Sequence, residues 1–414
     1  MEERDPAQRD EPDDGRRYVS VLDALRVRPF AAYFLASSAS SLGTWIQRTI
    51  AMVVIFDITQ SAIAVGILAV ATTLPILLFS LVAGYATDRF DRRRLIVATH
   101  AVSAASCLAL AIVTVVAGPS DLALMLVALI LATSWAFAKP ALSAFFPSLV
   151  PPGAVRAATA ANSLTFIVGQ IIGPIVGTAF LVTGQLGLGF AVNGVTFLLP
   201  ALLVLRLRGR EDPDVSPPPT LRLAALAPVL TRPNLALLTI IAISAGSADV
   251  LRNLAPVVVD ALGSGQELTG AVITLVSLGS AIGIVTAGYI ARFTSTRVAV
   301  TLGLTLEGAA LLLAGVWLQP FVVLAASMAT GMGYSWTFIV LTGELQARTA
   351  AGLRGRAMSM HALAHMGMRP ASTFATSAIA AGMGAAAALA VNGAVAVAVI
   401  AIVAASFRVL DGDR

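Results

Sequence analysis

Twelve long apolar runs follow one another through the chain, covering residues 29–56, 62–87, 94–117, 121–146, 155–183, 187–206, 233–259, 270–290, 297–316, 320–343, 357–381 and 384–406. A bilayer core about 30 Å thick is crossed by about 20 apolar residues rising 1.5 Å each, so every run is long enough to span it. Lipid offers backbone N–H and C=O groups no partner, and the runs are too long for barrel strands, so each is predicted to be a helix. With 57% hydrophobic and 12% charged residues, the composition lies outside the soluble range. The expectation is an all-α, multi-pass protein whose surroundings are the lipid bilayer.

The isoelectric point of about 10.0 would suit a nucleic-acid partner, but the arginines are scattered through short loops instead of lining one helix face, so none is expected. Their distribution is one-sided. The N-terminal tail carries Arg4, Arg9, Arg16, Arg17, Arg26 and Arg28, and the connection after the second run carries Arg89, Arg92, Arg93 and Arg94. The six alternate connections hold no Lys or Arg, only acids such as Asp57, Asp121, Asp260 and Glu267. Basic residues accumulate in cytoplasmic loops, which predicts both termini inside a cell (inner) membrane. The start, MEERDPAQRDEPDDGRR, lacks the apolar core of a secretory signal. Residues 1–28 are expected to be a disordered cytoplasmic tail, and 407–414 a second one. The single cysteine, Cys107, excludes an intrachain disulfide.

A proline-rich polar stretch within 207–232 separates six runs from six, dividing the chain into halves at 29–206 and 233–406. The halves repeat. Arg48, Gly66 and Gly84 recur 204 positions later as Arg252, Gly270 and Gly288, and AVNG at 191–194 returns at 390–393. Six-helix units running in the same direction, related by a pseudo-two-fold axis, are a transporter arrangement with the site at their interface.

The loop GYATDRFDRRR, residues 84–94, concentrates charge between the second and third runs, and GQIIGPIVG places Gly169, Gly173, Pro174 and Gly177 at close-packing spacing on the fifth. With these motifs the chain resembles the major facilitator superfamily from about residue 29 onward. Its first run, SLGTWIQRTIAMVVIF, is similar to the efflux subgroup of that superfamily that contains the enterobactin exporter. The resemblance implies twelve transmembrane helices and an inner gate formed by Gly84, Asp88, Arg89, Arg92 and Arg93. In it, Asp88 meets the N-terminus of the eleventh helix, near Arg354 to Ala357, when the cytoplasmic side is closed. That end of a helix exposes about half a positive charge. Two features depart from the family pattern: the fourth run has no RxxxG motif, and the later loop GYIARFTSTR has no acid.

Charged side chains inside a membrane span are costly unless they face a cavity or a partner. Arg48, Lys139, Asp249, Arg252, Glu307 and Arg369 qualify as a substrate or proton pathway, with Trp45 and Gln47 beside Arg48. Asp249 and Arg252 are three apart and share a helix face. Arg48 and Arg252 either line a cavity with Asp249 or reach toward headgroups. His361, His365 and Arg369 form a stripe at four-residue spacing, either a proton route or a solvated helix end. Ala362 stands where an H-E-x-x-H zinc motif needs its glutamate, so no metal is expected.

The chain's one lysine, Lys139, lies in FAKPA, which excludes a P-loop and ATP as energy source. No cofactor is expected and no enzymatic activity. The reading is a secondary active transporter, most simply a monomeric exporter of amphipathic or hydrophobic small molecules by proton antiport and alternating access. An uptake symporter or facilitator is the alternative, and a membrane-embedded enzyme or a non-transporting receptor lacks any supporting motif.

Overall fold

The computed structural model describes residues 20–207, 228–350 and 353–412. Sixteen α-helices run in chain order: α1 Val21–Leu25, α2 Arg28–Thr59, α3 Ala62–Ala71, α4 Leu74–Arg89, α5 Arg92–Ala117, α6 Asp121–Phe145, α7 Val155–Val182 and α8 Leu186–Arg206, then α9 Arg232–Ala248, α10 Val250–Asn253, α11 Ala255–Ala261, α12 Glu267–Phe293, α13 Thr296–Val316, α14 Pro320–Arg348, α15 Arg354–Met383 and α16 Ala385–Gly412. Among the described residues, ten helical stretches are long and apolar enough to cross a membrane. They match the first ten apolar runs. The eleventh run falls on α15, whose 30 residues include Arg354, Arg356 and Arg369, and the twelfth on α16, with its apolar stretch Ala385–Ala401.

Side-chain oxygens start several helices by accepting an otherwise orphaned backbone N–H. Ser61 caps α3, Asp91 caps α5, Ser120 caps α6, Thr231 caps α9 and Ser295 caps α13. On the face opposite the arginine-rich loops, Gly118 (φ 84°) and Gly384 (φ 89°) make the sharp exits that a side chain would strain.

Four expectations change. Residues 21–25, within the 1–28 stretch expected to be a disordered tail, are helical: Ser20 and Asp23 form a reciprocal capping box and fold them into α1, whose Ala24 is fully buried. The final helix continues through 407 to Gly412 instead of ending at 406. The second run is two helices, because Thr72 and Thr73 both hydrogen-bond the Ala69 carbonyl and Pro75 opens a new helix. The seventh run is three, broken at Asp249 and Leu254 ahead of Pro256, which has no N–H to give. The linker residues 208–227 lie outside the described residues.

In the first half, α2 packs on α7 and α8, α5 on α6 and α8, and α4 on α6; in the second, α12 packs on α14, α13 on α14 and α16, and α9 on α14, α15 and α16. Two seams join the groups, α7 with α12 and α3 with α15. The repeat-related glycines sit one in each seam. A Cβ on Gly66 would meet Cβ of Ser377 at 2.5 Å, and one on Gly270 would meet the Pro174 carbonyl oxygen at 2.8 Å. Toward the arginine-rich face the seams part: α4 barely touches α15, and among the described residues no atom of a neighbouring segment lies within 4 Å of where a Cβ on Gly84 or Gly288 would stand.

Candidate functional site

The break in the seventh run puts Asp249, Arg252 and Asn253 on a short turn between longer helices, all three buried. Close approach of α9 to α15, where a Cβ on Gly246 would stand 2.8 Å from Ser372, brings Arg369 within reach. Arg369 clasps Asp249 through two hydrogen bonds, Nε to Oδ2 at 2.5 Å and Nη2 to Oδ1 at 2.7 Å. Arg252 adds a third, Nη1 to Oδ1 at 3.0 Å. From α2, Arg48 donates to Oδ1 of Asn253 at 3.0 Å and lies over the Trp45 ring at 5.1 Å. Asn253 in turn donates to Thr373 at 3.0 Å. Phe166 meets Trp45 edge-on, with ring centroids 5.9 Å apart.

The predicted Asp249–Arg252 pair is therefore present, and Arg48 does approach it, through Asn253. Arg369, one turn along α15 from His365, joins this cluster as well. A carboxylate accepting three guanidinium N–H bonds is a fixed acceptor, which argues against Asp249 as the proton carrier suggested by the sequence. His365 pairs with the Tyr334 hydroxyl at 2.6 Å and His361 with the Thr342 hydroxyl at 2.8 Å, with the Phe338 ring against both. Lys139 is exposed on α6 and lies within electrostatic range of His365.

Glu307 stands apart, fully buried on α13. Ser244 donates to its Oε2 at 2.7 Å, while Oε1 has no partner. Gln47 turns away from the cluster and accepts from Asn193 at 2.7 Å. Asn392, the repeat-mate of Asn193, instead bonds Thr376 of α15 at 3.0 Å. The AVNG repeat thus anchors the last helix of each group to a different neighbour. Gly169, Gly173 and Gly177 form the α7 surface against α2, facing Ser41, Trp45, Ile46 and Thr49. On the other side of α7 the Ile171 carbonyl, three residues before Pro174, accepts from Thr274 at 3.2 Å.

Of the loop residues, Arg93 does something its motif did not announce. It donates to the Val204 and Leu205 carbonyls at 2.8 and 2.9 Å, closing the C-terminus of α8, where cations are favoured. Arg89 donates to the Tyr85 hydroxyl at 3.4 Å, and Arg92 is half-buried. The Asp88 side chain lies outside what is described. Replacing Arg93 with alanine is expected to lower stability by about 1–2 kcal/mol, the loss of charge-assisted bonds to orphaned carbonyls. Arg89→Ala should stay near wild type in the same thermal unfolding series, and equal effects would remove the capping role.

Sequence reading missed Asn253, Thr373, Tyr334 and Ser244, since neutral polar residues are common in spans and only their buried pairing singles them out. It also missed Glu344, which accepts from Thr296 at 3.1 Å and pairs with Arg348, next to the loop that has no acid of its own.

Residues 19–414 match the family model described as transmembrane secretion effector. The enterobactin exporter EntS of Escherichia coli O1:K1 is 25% identical over 345 residues, 81% of each chain. Among solved structures, a mutant form of the nucleoside transporter NupG is similar with a TM-score of 0.76 at 11% identity, covering 92% of this chain and 100% of that one. A bacterial homologue of the iron transporter ferroportin, in an inward-facing state, gives 0.70 at 16% identity over 92% and 98%. These two likenesses support the fold alone. Taken with the membrane-spanning helices and the match along nearly all its length, the chain belongs to the transmembrane secretion effector family of the major facilitator superfamily and is a membrane transporter.

Proposed function

We propose that this transporter is a secondary exporter of amphipathic or hydrophobic small molecules, working as a monomer by alternating access and proton antiport. In this reading the chain crosses the inner membrane twelve times in two six-helix halves, 29–206 and 233–406. Residues 207–232 link the halves and both termini are cytoplasmic. The observation that carries it is the unequal state of the two seams. One repeat-related pair, Gly66 and Gly270, is packed tight toward one face, while the other pair, Gly84 and Gly288, meets no neighbouring segment toward the other. A site between halves, closed on one side and parted on the other, is half of an alternating-access cycle. With the arginine-rich face in the cytoplasm, the parted side is the inner one. In the opposite state Gly84 would pack closely and Asp88 would meet the start of α15.

The exporter reading follows the similarity to EntS. For coupling, Glu307 is the carboxyl we assign the exchangeable proton. It is fully buried with neutral Ser244 as its partner, and a bare buried charge there would be costly. Glu307→Gln is expected to reduce gradient-driven transport in proteoliposomes more than tenfold while sparing downhill flux. Full uphill transport by the variant would remove Glu307 from the coupling path. The reading as a whole is tested by compound accumulation in cells with and without the protein, the proton gradient intact or collapsed. Export requires lower accumulation with the protein, and the difference must vanish on collapse.

A further inference from the structure

Two guanidiniums bond one carboxylate inside the membrane region and a third joins them through Asn253, and the sum is not neutral. Arg48, Arg252 and Arg369 bring three positive charges and Asp249 one negative, an excess of two, and Asp249 is the acid that acts electrostatically on all three. Lys139 adds a further positive charge near His365. Donors exceed acceptors as well. A guanidinium carries five N–H donors, yet Arg48 gives one to Asn253 and Arg252 one to Asp249, and the Nε–H of each is buried without a partner. Buried charge and unmet donors are both costly. Ionisable residues inside membrane spans persist mainly where they serve a substrate or ion path. The Trp45 ring lies directly beside Arg48, and Phe166 packs edge-on against Trp45 on that side.

We infer that this cluster is the substrate site and that the substrate is an amphipathic organic anion. Its anionic oxygen group takes the N–H donors that Arg48 and Arg252 leave unpaired, and its apolar body lies along the Trp45 and Phe166 side. The inference rests on the transporter reading above and narrows its substrate class from amphipathic or hydrophobic compounds at large to those carrying negative charge.

The test uses purified full-length protein in detergent, titrated with dansylglycine, an aromatic carboxylate, and with its uncharged methyl ester. Binding is read as saturable energy transfer from tryptophan to the dansyl group. The carboxylate should bind at least tenfold more tightly than the ester. Arg48→Gln should remove most of that margin, and Arg48→Lys, which keeps the charge without the planar fork, should retain part of it. Arg48 is the arginine to change because Asp249 then keeps both of its own. Equal wild-type affinity for acid and ester overturns the inference, as does a folded Arg48→Gln protein with the full margin. If that variant does not fold, the wild-type comparison decides alone. Because binding is read without flux, a protein that binds the anion but exports nothing from cells would sink only the exporter reading. Export of neutral or cationic compounds by a protein indifferent to the acid would sink only this one.

Discussion

Asp249→Ala is expected to yield little folded protein and no measurable transport. Removing this carboxylate leaves Arg369, Arg252 and Arg48 facing one another with their shared acid gone. Breaking a buried ion pair by deleting one partner typically costs about 3–5 kcal/mol, because the remaining charge is uncompensated, whereas deleting both costs less. The size of that penalty is comparable to the whole stability margin of many proteins. Arg369 supplies two of the three bonds to Asp249, so the double change Asp249→Ala with Arg369→Ala should recover much of the lost protein. Pairing Asp249→Ala with Arg252→Ala should recover less. Yield by size-exclusion chromatography and midpoint by thermal unfolding measure both. A single Asp249→Ala variant as stable as wild type would mean that the arginines are compensated elsewhere.

The second large effect is expected at the seam. At Gly270 a side chain would meet the Thr178 side chain and the Pro174 carbonyl oxygen, and a backbone oxygen cannot rotate aside. Gly270→Val should therefore force α7 and α12 apart at this end. Overpacking commonly costs about 1–3 kcal/mol, and about 1.4 kcal/mol already shifts a two-state equilibrium tenfold. The protein should be driven out of the state described here and transport should fall more than tenfold. Gly66→Val should act in the same direction, because its side chain would meet Cβ of Ser377 at 2.5 Å, an atom held by the backbone. The readout is a Thr274→Cys reporter in a Cys107→Ser background, labelled by an impermeant maleimide. Labelling should rise in Gly270→Val. Unchanged labelling with full transport would show that this seam does not open.

Charge pairing shows where local reading works and where it stops. Asp249 and Arg252 were legible as partners because three residues along a helix put side chains on one face. The four-residue spacing likewise places Arg369 on one helix stripe with His361 and His365, but it gives no sign of the carboxylate that Arg369 binds. Its decisive contact is with a residue 120 positions away on another helix. The glycines repeat the lesson. Their 204-residue spacing was visible as a repeat, yet nothing in the spacing said that Gly66 and Gly270 would be buried in seams while Gly84 and Gly288 stood open. Arg93 was legible as one of four loop arginines, but not as the cap of a helix more than 100 residues later.

What the sequence determined by itself is that this chain forms membrane-crossing helices. Run length against bilayer thickness and the need to satisfy every backbone group in lipid are local constraints, carried by composition and order alone. The break at Asp249, the gathering of Arg48 and Arg369 around it, and the burial of Gly66 and Gly270 between helices were decided by tertiary structure. Each depends on which helix faces meet, and in lipid that is set by close packing of small residues and by polar pairing between segments distant in the chain.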